Sequence, residues 1–387
     1  MSALSIKTGI VSPIIPAKLS FHGGQVDGGF YQDVFYFILT YLNVWSDLRS
    51  VEDLKIVRLS QAMSNFVFTI ENKKHSLDNG NLSGKDLSKF HKREPQKILL
   101  RIYGEQMEHL LPPGRELKWC LLFSELGIGA KIYCAFANGR FEEYFDSEML
   151  NALSLRDAGI SCRIASKIAK IHLWIDKLAL EKDKKNELWD RFEDWMEKAI
   201  AVPLSESRRL LLQRVGFPTF VQQKLQRLKN ELQSLENDLP LVFSHCDLQY
   251  GNILRMKHSQ RIILIDFEYA CFAPPFFDIA NHWCEWAANY TKSSMEQLLD
   301  FTQMPSAVER RAFVRSYLQE QAASEVSEQE VDAFVQNCNK YISLSHFMWG
   351  IWGILKMRDD ETPLAFDYFA YALKRLEMFL QEDNALY

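Results

Sequence analysis

Short apolar runs in the first 145 residues alternate with polar residues at a period of two, which predicts β-strands. Five runs have this character: Ile56–Ser60, Phe66–Ile70, Lys97–Tyr103, Ile132–Phe136 and Phe141–Phe145. The first two predict a hairpin around Gln61–Asn65, and Asn138-Gly139 predicts a type I′ turn between the last two. Residues 72–96 are polar and rich in Lys, Asn, Ser and Gly, which predicts an exposed insertion between strands.

Apolar positions spaced three and four residues apart predict helices, and these dominate the chain after Phe145. The predicted helices are Val34–Leu48, Arg115–Leu126, Ser161–Ile175, Lys182–Ile200 and Arg208–Leu235, the last of them broken at Gly216 and Pro218. Because strands give way to helices near Phe145, we predict an α+β protein with two lobes. Residues 1–145 form the small β-rich N-terminal lobe, and residues 146–387 form the larger helical C-terminal lobe.

Composition narrows the class of protein. The 387-residue chain is 47% apolar, and its formal net charge of −5 argues against a nucleic-acid partner, which normally requires a basic surplus. Seven cysteines without a Cys-x-x-Cys pair indicate reduced thiols. The N-terminus lacks the pattern of a signal peptide, and the longest apolar run, Val34–Leu42, is too short to span a bilayer. We therefore expect a cytoplasmic protein without a transmembrane segment.

One stretch combines apolar strands with polar loop residues at a distinctive spacing. Phe243–Leu254 contains Asp247 five positions before Asn252, and the next apolar run leads to Asp266. Phosphoryl transfer needs a carboxylate to take the acceptor's proton, and oxygen ligands for magnesium on the nucleotide phosphates. An Asp- and Asn-rich turn between two strands is the alternative explanation of a single Asp-x4-Asn match. His245, the second strand and the terminal Asp-Phe together favour a kinase-like site.

Two charged residues of the N-terminal lobe fit the same chemistry. Arg101 lies on the third predicted strand, where a kinase places its phosphate-contacting cation; an arginine that extends along the strand face to solvent is the alternative. Glu116 is in the first turn of a predicted helix, where it either favours the helix dipole or pairs with Arg101. The turn at Gln61–Asn65 either lies over a nucleotide or belongs to an ordinary surface hairpin.

Tryptophans at helical spacing form a second signal. The pairs are Trp283 with Trp286 and Trp349 with Trp352, each sharing a helix face. Glu285 and Tyr290 lie near the first pair. For any single tryptophan a place in the core is the simpler explanation. Rings beside a carboxylate also bind organic cations, because a quaternary ammonium has no N–H to donate and is held by ring faces.

These residues belong to segments that resemble the choline/ethanolamine kinase family, and more closely its choline kinases. The segments are His245-Cys-Asp-Leu-Gln-Tyr-Gly-Asn252, Ile265-Asp-Phe-Glu-Tyr269, Phe277-Asp-Ile-Ala-Asn-His-Trp-Cys-Glu-Trp286 and Ser345-His-Phe-Met-Trp-Gly-Ile-Trp352. The resemblance implies a protein-kinase-like fold. It also implies ATP- and Mg2+-dependent phosphorylation of choline to phosphocholine, the first step toward phosphatidylcholine.

The resemblance further implies roles for individual residues. In the catalytic loop it implies Asp247 as the base, Asn252 and Asp266 as magnesium ligands, and Gln249 and Glu268 as supporting residues. The implied nucleotide contacts are Ser64, Asn65, Arg101 held by Glu116, and an interlobe hinge of Glu143, Tyr144 and Phe145. The implied choline pocket consists of Tyr269, Glu285, Trp286, Tyr290, Trp349, Trp352 and Tyr368.

Three departures from the family pattern are visible. Cys246 stands between the His and the Asp, where the family usually has Asn. Gln61 and Ala62 stand where the family usually has glycines in the nucleotide loop. Pro274-Pro275 lies in the loop beneath the implied acceptor pocket.

The residue types of the implied pocket favour one ammonium substrate over another. A tryptophan-rich pocket favours choline over ethanolamine, because a primary ammonium needs carboxylate or carbonyl acceptors for its N–H groups. An ethanolamine kinase, an aminoglycoside-type phosphotransferase and a non-catalytic scaffold of lipid metabolism are the alternatives. We expect a small-molecule substrate, and a homodimer is compatible with the sequence.

Overall fold

The computed structural model describes residues 14–21, 26–59, 65–76, 94–103, 114–177, 184–237, 239–322, 324–357 and 366–381. The chain divides into two compact units, the first ending at Asp146 and the second beginning at Ser147. Strands dominate the first unit and helices the second, which is the distribution predicted for an α+β fold.

The first unit is built on one antiparallel sheet. Its elements are α1 (Gly28–Tyr41), β1 (Leu54–Leu59), β2 (Asn65–Asn72), α2 (Lys73–Ser76), β3 (Lys97–Tyr103), α3 (Arg115–Glu125), β4 (Ile132–Phe136) and β5 (Gly139–Glu143). The strand order is β1–β2–β3–β5–β4. Apolar residues at alternate positions of the sheet form one core with residues of α1; buried strand members of this core include Phe68, Ile70, Ile98, Leu100 and Phe141.

Helix α1 is displaced from the prediction. It begins at Gly28, where Asp27 caps the first turn by accepting a hydrogen bond from the Phe30 amide at 2.8 Å, and it ends at Tyr41, before Leu42 turns to extended backbone. The apolar residues after Tyr41, Trp45 among them, are buried in irregular backbone. The apolar run therefore indicated burial correctly and helix only in part.

The ends of the predicted insertion, residues 72–96, are packed into the unit. Asn72 belongs to β2, is fully buried and donates a hydrogen bond to Asp47 Oδ1 at 2.9 Å. At the other end, the Pro95 carbonyl accepts a hydrogen bond from the Trp45 indole. Both ends are thus tied to the segment after α1, while residues 77–93 lie outside the described part of the chain.

The predicted type I′ turn at Asn138-Gly139 is wrong. Phe136 pairs with Gly139, so Ala137 and Asn138 form the turn, and neither Asn138 nor Gly139 has the positive φ that type I′ requires. Gly139 is needed for a different reason: a Cβ atom there would lie 2.3 Å from the Arg101 carbonyl oxygen. The Asn138 side chain holds the backbone of Leu19 through two hydrogen bonds.

The second unit contains most of the helices. Its elements are β6 (Ser147–Met149), α4 (Ala158–Lys177), α5 (Glu187–Ile200), α6 (Glu206–Arg214), α7 (Thr219–Glu236), β7 (Val242–Ser244), β8 (Ile253–Met256), β9 (Ile262–Leu264), β10 (Cys271–Ala273), α8 (Pro275–Glu285), α9 (Met295–Leu298), α10 (Ala307–Gln321), α11 (Glu328–Lys356) and α12 (Tyr368–Leu380). Strands β6, β8 and β9 form one small sheet, and β7 pairs with β10. The predicted break at Gly216 and Pro218 separates α6 from α7.

Helix α11 is the centre of the second unit. Its 29 residues pack against α5, α8, α10 and α12, and most of its second half is buried. This position explains why the helix is apolar on nearly all sides around Trp349. Within the described ranges, none of the helices combines the length and the apolar character needed to cross a membrane.

Candidate active site

The loop after β7 brings the predicted catalytic residues together. Asn252 Nδ2 donates hydrogen bonds to Asp247 Oδ2 at 2.7 Å and to the Asp247 carbonyl at 2.9 Å. The Gln249 side chain accepts a hydrogen bond from the Gly251 amide at 2.7 Å, which stabilises the turn. The Ile265 amide donates to the Asn252 carbonyl at 3.0 Å, so the residue before Asp266 is attached to the same loop.

Two residues of this region adopt the left-handed backbone conformation. Cys246 has φ +63° and Asp266 has φ +68°. This conformation is uncommon for residues other than glycine, is tolerated best by Asn and Asp, and when found in a structure is often associated with a functional site. The observation gives a physical reason for the Asn that the family usually has where this chain has Cys246.

Asp278 anchors the backbone of this loop, and sequence reasoning assigned it no role. Its carboxylate accepts hydrogen bonds from the His245 amide at 3.0 Å and the Cys246 amide at 2.9 Å, and lies 3.2 Å from His172 Nε2. Burial tends to raise the pKa of Asp278, but the hydrogen bond and charge of His172 and the charge of His245 bring it below its ordinary value. Asp278 is thus held as an anion that fixes the backbone beside Asp247.

Asp247 is in the opposite electrostatic situation. Burial raises its pKa well above the ordinary value, and the negative charges of Glu285 and Asp266 raise it further, against the hydrogen bond from Asn252. The charges of Glu285, Asp266 and Asp278 all favour the protonated form of Asp247, whereas a base must be ionised to accept a proton.

The donor set fits a hard divalent cation. The hydrogen bonds of Asn252 use its Nδ2 atom, which leaves the amide oxygen Oδ1 for another partner. This oxygen and the Asp266 carboxylate are the kinds of ligand that Mg2+ takes in proteins. A cation there would also offset the repulsion that raises the pKa of Asp247.

Four of the predicted pocket residues form a continuous set of ring contacts, which we call the aromatic cluster: Tyr269, Trp349, Trp352 and Tyr368. Ring centroids are separated by 5.4 Å between Tyr269 and Trp349, 5.5 Å between Trp349 and Trp352, and 5.4 Å between Trp352 and Tyr368. The contacts are edge-to-face, the arrangement that aromatic rings prefer. The cluster adjoins the catalytic loop, since the charges of Glu268, Asp247 and Asp266 add to the effect of burial in raising the pKa of Tyr269.

The aromatic cluster depends on a close approach of α11 and α12. A Cβ atom at Gly353 would lie 3.0 Å from Ala372 Cβ and 3.0 Å from the Tyr368 carbonyl. Glycine at this position lets the two helices approach closely, which brings Tyr368 against Trp352. The glycine one position after Trp352 was the available sequence signal.

Glu285 has both carboxylate oxygens engaged inside the protein. Oε1 accepts a hydrogen bond from Arg375 Nη2 at 2.8 Å, and Oε2 accepts one from the Tyr290 hydroxyl at 2.7 Å. Glu285 and Tyr290 were predicted as pocket residues, whereas Arg375 was not. Arg375 lies on α12, 90 positions after Glu285, and its side chain is fully buried.

Trp286 is placed apart from the aromatic cluster. Its indole donates to His282 Nε2 at 3.4 Å, while His282 Nδ1 hydrogen-bonds to the Leu248 carbonyl at 2.8 Å. Burial lowers the pKa of His282 to about 4, so the ring is neutral, donates from Nδ1 and accepts at Nε2. The structure thus connects Trp286 with the catalytic loop and gives it no ring contact with the four cluster members.

The predicted nucleotide residues of the first unit include a buried charge cluster. Arg101 and Arg140 face each other across β3 and β5. Arg140 contacts Glu116 at 2.7 Å and Glu142 at 2.6 Å, and Arg101 Nε lies 3.5 Å from Glu142. Burial tends to raise the pKa of Glu116, but the charges of Arg140 and Arg101 lower it. Sequence reasoning identified Arg101 and Glu116 but missed Arg140.

The other predicted nucleotide contacts lie at the edge of this charge cluster or outside the residues that the structure describes. Glu143 ends β5 and accepts a hydrogen bond from the Lys131 amide at 3.1 Å. Tyr144 follows it, with Lys97 Nζ 5.7 Å from its ring centroid, and Phe145 comes next. Asn65 begins β2, and Ser64 lies outside the described residues.

Comparison with known proteins identifies the family. Residues 56–380 match the family model described as choline/ethanolamine kinase. The chain is 32% identical over 340 residues to "Probable choline kinase 2" of Arabidopsis thaliana, covering 87% of each protein.

Solved structures agree on the fold. A choline kinase from Cryptosporidium parvum aligns with a TM-score of 0.73 at 22% identity, over 90% of this chain and 94% of that one. A Plasmodium vivax ethanolamine kinase aligns with a TM-score of 0.69, also at 22% identity, over 93% and 90%. These structures confirm the protein-kinase-like fold. With the family match over most of its length, the chain belongs to the choline/ethanolamine kinase family.

Proposed function

We propose that the protein transfers the γ-phosphoryl group of ATP to the hydroxyl of choline, with Mg2+ as the metal. The observation that carries the proposal is the aromatic cluster beside the catalytic loop. The polar atoms of its tryptophans are used inside the protein: Trp349 Nε1 donates to Asn281 Oδ1 and Trp352 Nε1 to the Tyr269 hydroxyl, each at 2.8 Å. What the tryptophans can offer a ligand is ring faces, which suit a trimethylammonium group.

Asp247 acts as the base in this reaction. The choline oxygen forms a bond to the γ-phosphorus, the bond from that phosphorus to the β–γ bridging oxygen breaks, and the hydroxyl proton passes to an Asp247 carboxylate oxygen. The products are phosphocholine and ADP. Asn252 orients Asp247 through its Nδ2 hydrogen bonds, and Asp278 holds the backbone on the other side.

Asn252 Oδ1 and Asp266 are the proposed metal ligands. When bound, Mg2+ supplies positive charge that neutralises the phosphates and the acidic loop. The role of the chain is to present these two oxygens from a fixed loop. Arg101, Glu116, Ser64, Asn65 and residues 143–145 are the proposed nucleotide contacts.

The test is a steady-state comparison of kcat/KM for choline and ethanolamine with ATP and Mg2+, following ADP release. We expect choline to have the higher value, because a primary ammonium would lose hydrogen bonds to water on entering a pocket of ring faces. A higher value for ethanolamine would reverse the assignment within the family.

The Trp352→Ala variant separates this proposal from an aminoglycoside-type phosphotransferase. Loss of a ring from the aromatic cluster should lower kcat/KM for choline by a factor of ~2 to 30, which corresponds to ~0.5–2 kcal/mol for one cation–π contact. Undiminished choline activity would indicate that choline binds elsewhere. For the scaffold alternative, Mg2+-dependent ATP binding measured by calorimetry is decisive, since a non-catalytic scaffold should show none.

A further inference from the structure

Three side chains of the first unit that can bind a metal ion converge on one point. His75 Nε2, on α2, lies 3.2 Å from Asp47 Oδ1 and 3.5 Å from Glu94 Oε2. The three atoms all lie within 4.8 Å of one another. None of these residues belongs to the catalytic loop or to the proposed nucleotide contacts, so the function proposed above does not account for the arrangement.

The spacing of the three atoms suits a four-coordinate divalent transition metal. Zn2+ binds histidine nitrogen and carboxylate oxygen at about 2.0–2.2 Å, and tetrahedral geometry then separates neighbouring ligand atoms by ~3.4 Å. Both contacts of His75 are close to this length. An imidazole ligand also favours Zn2+ over Mg2+ and Ca2+, which prefer oxygen ligands. The three side chains are 22–41% exposed, so an ion can reach them and water can fill the fourth position.

The two carboxylates are oriented by other groups of the unit. Asn72 is fully buried, and its Nδ2 donates a hydrogen bond to Asp47 Oδ1 at 2.9 Å. The Ser46 amide donates to Glu94 Oε1 at 3.0 Å, which leaves Oε2 facing His75. Hydrogen bonds of this kind fix the ligands of metal sites. Burial tends to raise the pKa of Asp47, but hydrogen bonds with Asn72 and His75 bring it below its ordinary value, so this ligand is an anion at neutral pH.

A histidine that is merely hydrogen-bonded to two carboxylates is the alternative explanation of these contacts. A metal binds the Nε2 lone pair, so the ring of His75 would then carry its proton on Nδ1. With a neutral ring the three side chains carry the charge of two carboxylates, which a divalent cation balances. Lys74 does not supply that charge, because its Nζ pairs with Asp53 at 2.6 Å and donates to the Asp47 carbonyl at 2.8 Å.

We propose that Asp47, His75 and Glu94 bind a divalent transition metal of the Zn2+ type, with water as the fourth ligand. The ion joins three segments of the first unit: the one that follows α1, helix α2 after β2, and the residues that lead into β3. His75 and Glu94 stand on either side of residues 77–93, so the metal fixes both ends of this stretch of sequence to the segment after α1. The site goes beyond the proposed function and does not depend on it.

Isothermal titration calorimetry of the full chain with Zn2+, in excess Mg2+, tests the site. The affinity for Zn2+ should fall ~100-fold or more in His75→Gln, because loss of a residue that only orients a ligand already costs ~10–100-fold. Glu94→Gln should weaken binding ~10-fold or more. The matched control is His258→Gln, which removes an exposed histidine of the second unit and should leave the isotherm unchanged.

Two results would overturn the proposal. Equal isotherms for the unsubstituted protein and His75→Gln would mean that these residues hold no Zn2+. Binding that is lost in His75→Gln but unchanged in Glu94→Gln would mean that a single histidine holds the ion. Asp266→Asn alters the catalytic loop and should leave the binding that depends on His75 intact. Partly exposed ion pairs contribute little to stability, so the variants of His75 and Glu94 should fold.

Discussion

The two units each bury a cluster of charged side chains, and the clusters differ in balance. In the first unit, Arg101 and Arg140 meet Glu116 and Glu142, two cations with two anions. In the second unit, the charges of Glu285 and Asp266 act on Asp247, and Arg375 contacts Glu285. The four charges named in the first cluster balance, whereas those named in the second have an excess of negative charge.

The pKa shifts express this difference directly. In the first unit the arginines lower the pKa of Glu116 and Glu142 against the effect of burial. In the second unit burial, Glu285 and Asp266 all raise the pKa of Asp247. A group of buried carboxylates without matching cations does not stabilise the fold. Such a group indicates a site where ligands supply the positive charge. We expect substitution of Arg140, which has no proposed role in nucleotide binding, to reduce stability, and substitutions in the second cluster to reduce activity.

The largest effect should come from Asp247→Asn. If Asp247 is the base, the change removes proton transfer and should lower kcat by a factor of ~10² to 10⁴. The amide keeps the size of the side chain and can still contact Asn252, so KM for choline should change little. Stopped-time assays of phosphocholine formation would measure the loss. Turnover near that of the unsubstituted protein would remove Asp247 from this role and weaken the contrast between the clusters.

Arg140→Met should have the largest effect on stability. It leaves Glu116 and Glu142 buried with one fewer cation, which typically costs ~3–5 kcal/mol in the free energy of unfolding. Urea denaturation followed by tryptophan fluorescence measures the change.

The matched control is Arg255→Met, which removes an arginine from the exposed pair with Glu148. An exposed pair contributes ~0–1 kcal/mol, so this variant should remain close to the unsubstituted protein. Equal destabilisation of the two variants would show that the first-unit cluster is not the stabilising element we infer.

The pH dependence of stability gives a finer contrast. The folded-state pKa of Asp247 is raised, so folding without ligands favours its protonated form. The contribution of Asp247 to the free energy of unfolding is therefore fully present below its unfolded pKa of ~3.9. It is lost as the pH rises toward the folded pKa. The Asn252 hydrogen bond does not reverse this direction.

Asp247→Asn should therefore stabilise the ligand-free protein at neutral pH. The gain in unfolding free energy should be small near pH ~4, grow as the pH rises, and level off above the folded pKa of Asp247. Urea denaturation of both proteins from pH ~4 to ~8 would show this divergence. A gain that does not change with pH would mean that the carboxylate is already ionised in the free protein, contrary to the imbalance we infer.

Local sequence patterns predicted the parts of the site that lie within one loop or one helix. Asp247 and Asn252 are five positions apart, and Trp349 and Trp352 share a turn of α11, so spacing alone predicted that they lie near each other. The same reasoning missed Asp278 and Arg375, which act over 33 and 90 positions of sequence. Their partners are decided by how α8 and α12 pack, and no periodicity within a helix contains that information. Arg140 was missed although one partner, Glu142, lies two positions along the same strand; its other partner, Glu116, comes from α3.

A variant of Trp286 tests whether this residue belongs to the substrate pocket or acts on the catalytic loop. The resemblance implied that it binds substrate, but its indole contacts His282, which in turn holds the Leu248 carbonyl of the catalytic loop. Trp286→Phe should therefore lower kcat by less than ~5-fold, as expected for a weak hydrogen bond acting through another residue, and leave KM for choline unchanged. Trp352→Ala is the comparison, because loss of a cluster ring should appear in KM. A rise in KM of similar size in both variants would mean that Trp286 binds choline together with the four residues of the aromatic cluster.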